Sequence, residues 1–351
     1  LKPAQTASEL TSAGGVAVIS GLCQSDDPEL RWRSVALLAA LPITAVPEDT
    51  RKQLQKEIPA ALEVISQPIP AESHFDEEQQ LIITMACSFL SSFAESVPYI
   101  SAQLLPALRP LCSLTKLKET QKPAINALSA IVQRGGREFQ VKLREEAGCL
   151  ACLSSALGSS AAAPENYVIA AGCAEVMASC CALDHRSRTT VLSSDGTIQS
   201  LVSVCLRPFE ATSPIDVLLT KSCCRALASL VAGSEKAATV VIGTTPVQSA
   251  TRLLSLLSVA DLASEVLKLL AALSRHRCWI APLASAGAAK VLAEVAASAK
   301  AHSTDAAVSL SRILSRSPSS GVSVLQVPDL VESLLVVTLD SAASIDLRIS
   351  L

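Results

Sequence analysis

The heptapeptide CRALASL at residues 224–230 decides the fold, because close variants of it recur along the chain. Each variant centres on one large apolar residue among alanines, serines and other small residues. The successive centres are Leu128, Met177, Leu227, Leu270 and, in a weaker copy, Leu310. They lie 49, 50, 43 and 40 residues apart. Self-similarity at a period of roughly 40 to 50 residues is typical of stacked helical repeats. We therefore predict an all-α, right-handed solenoid.

A second mark keeps the same rhythm. A short turn sequence follows each of the four stronger centres by roughly 16 to 20 residues. These turns are Ala147-Gly148, Asp195-Gly196, Thr245-Pro246 and Ala286-Gly287. Insertions at 158–165 and 207–214 are rich in Ser, Ala and Pro, which indicates exposed loops. These two loops explain why two of the periods are close to 50 residues.

Composition agrees with a thin, repeated core. The 351 residues are 50% hydrophobic but only 3% aromatic, so Ala, Leu, Ser and Val must fill the space between helices. The formal net charge of −3 gives no general attraction to nucleic acid. The apolar stretches are interrupted before the ~20 residues that a membrane span needs. Because the chain begins with Leu1 rather than Met, we expect it to be part of a longer protein.

One repeat carries a specific resemblance. Residues 267–297 contain a long helix, the sequence Arg275-His276-Arg277, a short helix, and Ala286-Gly287-Ala288 before another helix. This order resembles an armadillo repeat, in which a Gly after the first helix lets two helices meet sharply. The resemblance covers roughly residues 120–330 and implies an interaction scaffold that binds its partner in a groove lined by each third helix. The groove asparagines and tryptophans of nuclear-import receptors are absent, which disfavours that function.

The region before residue 120 follows the rhythm less clearly. We predict HEAT-like helical pairs with a cap at 1–120, and armadillo-like repeats with a C-terminal cap at 121–351. Asp26-Asp27-Pro28-Glu29 predicts a helix start, since it combines a capping Asp with a first-turn Pro and acid. The acidic stretch 67–78 is interpreted as a solvated loop and helix N-terminus.

The cysteines and the other chemistry-bearing residues predict no catalytic, cofactor or metal site. The 12 cysteines lie mostly in apolar helical runs, which predicts reduced and buried thiols. Cys149 and Cys152 have half the spacing of a zinc site but no second pair, and His276 with Cys278 has no further ligand nearby. Only four histidines are present, so general-base candidates are few. We predict a protein that is not an enzyme.

Two surfaces are candidates for partner binding. The groove would be lined by polar or small residues placed around each repeat centre: Asn126, Ser129, Glu175, Ser179, Arg225, Ser229, Lys268 and Ala272. Glu175, Arg225 and Lys268 favour a segment of mixed or net negative charge. Reversing Arg225 and Lys268 to Glu is predicted to weaken the partner without unfolding the protein.

The alternative surface is a basic edge formed just after each third helix. Its residues are Arg134, Arg137, Arg186, Arg188, Lys236, Arg275, Arg277 and Arg316. Cations at these positions are also expected to compensate helix dipoles. The functional interpretation is contact with an acidic protein or an anionic lipid.

The predicted function is a non-catalytic scaffold or adaptor that binds a protein or peptide, with no cofactor. Leu30-Arg31-Trp32-Arg33 resembles the start of armadillo-type nucleotide-exchange factors of Hsp70 chaperones, which is the alternative function. A tubulin- or cytoskeleton-binding HEAT array is a further alternative. Reduced cysteines favour an intracellular, cytoplasmic location, with cytoskeletal or ciliary association also open. Oligomeric state, partner and pathway stay undetermined by the sequence.

Overall fold

The computed structural model describes residues 9–69, 75–97, 102–146, 148–194, 196–208, 213–243, 245–297, 303–324 and 327. These residues are organised in two compact units. Unit 1 is Leu1–Ser160 with Val168–Val191, and unit 2 is Ala161–Tyr167 with Leu192–Leu351, each within the described ranges. The two units are defined by compactness and not by repeat type, so they do not test the predicted change from HEAT-like to armadillo-like repeats at residue 120. That change stays a prediction.

The described secondary structure of unit 1 is helical. Its α-helices are α1 (Gly15–Leu22), α2 (Pro28–Ala39), α3 (Glu48–Leu54), α4 (Ile58–Ile65), α5 (Glu77–Ser96), α6 (Leu108–Leu114), α7 (Lys118–Glu145), α8 (Cys149–Ser160), α9 (Tyr167–Leu183) and α10 (His185–Ser193). Short 3-10 helices occur at Ile43–Ala45, Gln55–Glu57 and Ala102–Ala107. Tyr167, the first residue of α9, and Leu192 and Ser193, the last residues of α10, are counted with unit 2.

The described part of unit 2 is also helical. Its α-helices are α11 (Thr197–Leu206), α12 (Pro214–Val231), α13 (Glu235–Ile242), α14 (Pro246–Ser255), α15 (Ala260–Leu273), α16 (Arg277–Ser285), α17 (Ala288–Ala297), α18 (Ser303–Arg316) and α19 (Gly321–Val324). Short 3-10 helices occur at Pro164–Asn166, Leu256–Ser258 and Pro318–Ser320. The described residues of both units contain helices and no strand, which confirms the all-α prediction.

Two short helices followed by one longer helix form the repeating order in unit 2, as α13-α14-α15 and α16-α17-α18. The third helices pack on one another in sequence, α12 on α15 and α15 on α18. In unit 1, α2 packs on α5 and α5 packs extensively on α7 in the same manner. Because equivalent helices stack directly, equivalent residues of neighbouring repeats lie side by side within each unit.

The repeat centres are core residues. Leu128, Met177, Leu227 and Leu270 are at most 1% exposed, and Leu310 is 2% exposed. This confirms the register inferred from the sequence. Leu30 is 38% exposed. It lies in the first turn of α2, whereas the buried Val35 and Leu38 lie in later turns.

Local signals place the helix boundaries. Asp27 accepts a hydrogen bond from the Glu29 amide at 3.0 Å, so the capping prediction for α2 is confirmed. Asp76 caps α5 in the same way, through the Gln79 amide at 2.8 Å. Pro59 lies in the first turn of α4, which begins at Ile58 directly after the 3-10 helix Gln55–Glu57.

A left-handed glycine separates the first and second helices of a repeat. Gly148, Gly196 and Gly287 have φ of 76°, 79° and 77°, and no atom lies within 4 Å of an added Cβ. Glycine is therefore needed for its backbone conformation and not for space. Across Gly287 the axes of α16 and α17 meet at 86°. The sharp meeting of two helices implied by the armadillo resemblance is thus present.

Helices long and apolar enough to cross a bilayer individually do not occur among the described residues. The bent pair α16–α17 meets the length and composition test only when its two helices are taken together.

Candidate functional site

A charged cluster lies on the third helices of unit 2, where the predicted groove residues Arg225 and Lys268 meet. Arg225 Nη2 lies 3.3 Å from Glu265 Oε1, and Lys268 Nζ lies 3.0 Å from the same oxygen. The Glu265 side chain is 4% exposed, whereas those of Arg225 and Lys268 are 40% and 49% exposed. The cluster therefore presents two partly exposed cations beside one buried carboxylate.

Opposing effects set the pKa of Glu265. Burial raises this pKa, while the hydrogen bond from Lys268 and the charge of Arg225 lower it. The balance places the pKa of Glu265 below its ordinary value. Glu265 is thus ionised at neutral pH, and the two neighbouring cations compensate a charge that water scarcely reaches.

Glu265 was not identified from the sequence as a groove residue. It lies among the apolar residues of α15 that face the core. A single acid within an apolar pattern gives no indication of a partner. Spacing was the available signal, because Glu265 lies three residues before Lys268 and 40 residues after Arg225. The second spacing is one repeat, which stacking converts into a contact between neighbouring third helices.

The candidate groove residues of unit 1 are also connected between helices. Gln133 Nε2 donates to Ser129 Oγ at 2.9 Å on α7 and to Glu175 Oε2 at 3.4 Å on α9. Asn126 is exposed, and Ser129, Glu175 and Ser179 are partly exposed. The predicted residues on α7 and α9 thus occupy solvent-accessible positions on adjacent third helices, with Gln133 joining them.

One groove prediction is wrong in its detail. Ala272 is only 7% exposed and belongs to the buried face of α15, so it offers almost no surface to a partner. The accessible position on that helix is Lys268, one turn earlier. Ser229 on α12 is partly exposed, as predicted for a residue beside the groove.

The predicted basic edge is concentrated in one part of unit 2. Arg316, at the end of α18, donates to the carbonyl oxygens of Ser274 at 3.4 Å and Arg275 at 3.1 Å. Arg316 and Arg277 line a common cavity of about 440 Å³. The turns that follow α15 and α18 are therefore adjacent, as stacking predicts. Lys236, one repeat earlier, is exposed next to an exposed acid, Glu235.

The corresponding edge of unit 1 contains an acidic side chain as well as basic ones. Its predicted basic residues are Arg134, Arg137, Arg186 and Arg188. The first three are exposed, and Arg188 is partly buried. Asp184, in the turn before α10, accepts from Arg144 Nη1 at 2.6 Å and from the Ser187 amide at 2.8 Å. Burial raises the pKa of Asp184, but the hydrogen bonds from Ser187 and Arg144 outweigh burial and hold this pKa well below its usual range. A carboxylate thus lies at this turn.

The prediction that all cysteines are reduced is wrong for one pair. Cys112 on α6 and Cys149 on α8 form a disulfide, with Cα atoms 5.6 Å apart. Their 37-residue separation brings equivalent second helices of neighbouring repeats together, which spacing within a single helix could not reveal. Among the ten free cysteines, eight are buried. Burial raises the pKa of Cys87 and of Cys180 to about 12, so these thiols stay protonated.

In the two candidate partial metal sites, Cys149, Cys152 and His276 contact other groups. Cys149 is used by the disulfide, and Cys152 Sγ lies 3.4 Å from Thr115 Oγ1. The ring of His276 contacts the Val231 carbonyl oxygen through Nε2 at 2.8 Å. Groups of three or more His, Cys, Asp or Glu side chains able to hold a metal ion are absent from the described residues.

Comparison with known proteins supports the fold. An engineered protein aligns with 99% of this chain and 89% of its own, at a TM-score of 0.68 and 18% identity. A designed armadillo repeat protein covers 73% of this chain and 99% of its own, at a TM-score of 0.57 and 20% identity. Computationally designed armadillo repeat proteins for modular peptide recognition give a TM-score of 0.54 and 18% identity over 72% of this chain and 98% of theirs.

No family model and no curated protein matches the sequence. The structural likeness and the element order together establish an armadillo-type repeat fold for this chain.

Proposed function

We propose that the chain is a non-catalytic scaffold that binds a segment of another protein along the exposed faces of its third helices. One observation carries this proposal. Polar side chains of neighbouring third helices contact one another at partly exposed places: Arg225, which is 40% exposed, pairs with the buried Glu265 in unit 2, and the exposed Gln133 donates to the partly exposed Glu175 in unit 1. A row of side chains one repeat apart suits an extended segment, since each repeat adds a modest contact.

The designed proteins of similar fold support this choice of ligand class. Their description assigns them modular peptide recognition, and we extend that class of ligand to this chain. The third helices of unit 2 place the partly exposed cations Arg225 and Lys268 beside the buried carboxylate of Glu265. We therefore propose that the part of the ligand bound there is acidic or of mixed charge. Charge at such a surface selects the partner and accelerates encounter more than it adds affinity.

Site-specific photo-crosslinking tests the surface. A photoreactive amino acid would replace Ser129, Ser179 or Ser229, one at a time, with Gln199 and Lys290 as matched controls. The two controls are exposed residues on the second helices α11 and α17. We expect the third-helix positions to crosslink a common partner from native lysate, identified by mass spectrometry. Crosslinks to that partner from the controls alone would overturn the assignment.

The nucleotide-exchange alternative has a separate assay. An Hsp70 chaperone loaded with fluorescent ADP would be mixed with the intact chain, and release would be followed in time. We expect no acceleration from a peptide-binding scaffold. Acceleration that depends on the third-helix residues would favour the co-chaperone function instead.

The cytoskeletal alternative rests on Arg31-Trp32-Arg33, and the contacts of these residues weaken it. Arg31 pairs with Glu63 at 2.6 Å, and Arg33 pairs with Glu29 at 2.6 Å and Glu78 at 2.7 Å. Trp32 is partly buried, in keeping with a packing role. Both arginines are thus already matched by carboxylates. Co-sedimentation with microtubules measures this alternative directly, and we expect none above background.

We also propose a cytoplasmic location, supported by the eight buried free cysteines. The Cys112–Cys149 disulfide argues in the other direction. Imaging of the tagged intact protein distinguishes a cytoplasmic location from an oxidising compartment.

A further inference from the structure

A basic cavity in unit 2 has the features of a second binding surface, separate from the third-helix face. Its lining consists of Arg277, Ile280 and Ala281 from α16, and Arg316 and Ser317 from the end of α18. The cavity has a volume of about 440 Å³, enough for one or two side chains of a ligand. It thus combines two guanidinium groups with an aliphatic wall.

One of the two arginines is held in place. The Arg316 guanidinium donates through Nη1 to the carbonyl oxygens of Ser274 and Arg275 at the end of α15. These bonds fix one side of the planar group, and no hydrogen bond from Nη2 or Nε to the described residues occurs, which leaves both for an additional acceptor. A guanidinium oriented in this way loses less conformational entropy when it binds an anion than a free side chain does.

The second arginine is accessible and pairs with no carboxylate of the described residues. Arg277 is exposed, and as the first residue of α16 it stands at the positive end of that helix dipole. His276 does not cap the helix with its side chain, and its ring is used by the Val231 carbonyl. Within the described part of the chain, Arg275, Arg277 and Arg316 form no ion pair with a carboxylate.

Among the described residues, the first turn of α13 and the turn before α10 contain acids beside basic residues. One repeat earlier, Lys236 is accompanied by the exposed Glu235. At the equivalent turn of unit 1, Asp184 is an acid paired with Arg144. A membrane surface would need a broad basic face, whereas a short acidic segment needs only a local one.

We propose that the Arg277–Arg316 cavity docks an acidic segment of a protein partner, in which a carboxylate bridges the two guanidinium groups and a neighbouring aliphatic side chain packs on the exposed Ala281. Charge complementarity selects this occupant, since the three arginines of the two turns are unmatched by acids of the described chain. Arginine is suited to the role because its planar fork matches carboxylate geometry.

Fluorescence polarisation with defined probes tests the proposal. The probe is a labelled peptide of alternating Glu and Leu, and its control carries Gln at every Glu. The intact chain would be compared with Arg277→Gln, Arg316→Lys and Lys290→Gln. Lys290 is an exposed cation on α17 outside the cavity, so its variant removes the same charge elsewhere.

We expect the Glu peptide to bind at least about tenfold more tightly than the Gln peptide, because charge-assisted hydrogen bonds are the stronger kind. Arg277→Gln should lose at least about tenfold, and Lys290→Gln should retain wild-type affinity. Arg277 has no hydrogen bond to the described chain, so its variant is expected to keep the wild-type melting temperature. Equal loss in the Arg277 and Lys290 variants would overturn the proposal.

Two further arms separate this cavity from other readings. If a peptide that crosslinks to the third helices competes with the Glu peptide for binding, then the Glu peptide binds in that groove. This result would overturn the assignment to the cavity. Sedimentation with phosphatidylserine vesicles measures a lipid ligand. Vesicle binding that depends on Arg277, together with no preference for the Glu peptide, would reject a protein partner. Loss of peptide binding in Arg277→Gln, with crosslinking at the third helices unchanged, would support the cavity independently of the proposed function.

Discussion

Removing both cations beside Glu265 should destabilise unit 2, because it leaves a carboxylate in a buried position without compensation. The test is the double variant Arg225→Gln, Lys268→Gln. Glu265 is 4% exposed and its partners are roughly half exposed, so the cluster lies between two known limits. Exposed pairs contribute about 0.2–1 kcal/mol. Breaking a buried pair costs about 3–5 kcal/mol. We expect a loss of about 2 kcal/mol for the double variant, between these limits.

A third substitution turns this into a sharper test. Adding Glu265→Gln to the double variant removes the uncompensated charge and keeps the shape of the side chain. We expect it to recover at least half of the lost stability, about 1 kcal/mol, although each substitution alone removes a polar partner. Equilibrium urea unfolding at neutral pH measures the three free energies of unfolding. A double variant as stable as the wild type, or a triple variant no more stable than the double, would refute the reasoning.

The pH dependence should change sign between these proteins. In the wild type the pKa of Glu265 is lowered, so its stabilising contribution is present above the unfolded pKa and is lost as pH falls through the folded pKa. In the double variant only burial remains, which raises that pKa. Stability of the double variant should then rise as pH falls toward the ordinary value of 4.5. The two unfolding curves should approach each other on acidification.

Three other predictions concern stability and thiol chemistry. Replacing Leu227 or Leu270 with Ala should cost about 2–5 kcal/mol each in urea unfolding, since both are fully packed repeat centres, and a cost near zero at both would contradict the register. Glu57→Gln should stabilise the protein at neutral pH, because burial raises the pKa of Glu57 although the hydrogen bond from Gln24 lowers it. The wild type therefore loses stability as pH rises from the unfolded pKa through the folded pKa, and the variant should not show this loss. Thiol labelling of denatured, unreduced protein should detect ten cysteines and two more after reduction, and twelve without reduction would exclude the Cys112–Cys149 bond.

The repeat order and the helix boundaries were predictable because they depend on short-range chemistry. Capping acids such as Asp27 act on amides two or three residues away, so the sequence alone contains both partners. The buried repeat centres follow from periodicity in the same manner. Gly148 and Gly196 marked helix junctions because a left-handed backbone selects glycine, whatever surrounds it.

Contacts between repeats were harder to predict, because they depend on how neighbouring repeats are offset. The Cys112–Cys149 bond joins residues 37 apart, while the Arg225–Glu265 pair joins residues 40 apart and the Trp279–Ala238 hydrogen bond residues 41 apart. None of these separations spans the insertions at 158–165 and 207–214, so they differ because the contacting side chains lie at different positions within neighbouring repeats. A single fixed period therefore identifies the stack without identifying which side chains touch.

The structure also changes how a charge experiment on the groove should be designed. The sequence suggested that Arg225 and Lys268 could be reversed to Glu without unfolding, as if they were free surface cations. Reversal would place three carboxylates together, one of them buried, and loss of binding would then be confounded by loss of stability. Making the reversal in a Glu265→Gln background removes the buried charge. Reduced partner binding in that background, at an unchanged melting temperature, would assign the cations to recognition. Unchanged binding would assign them to the compensation of Glu265 alone.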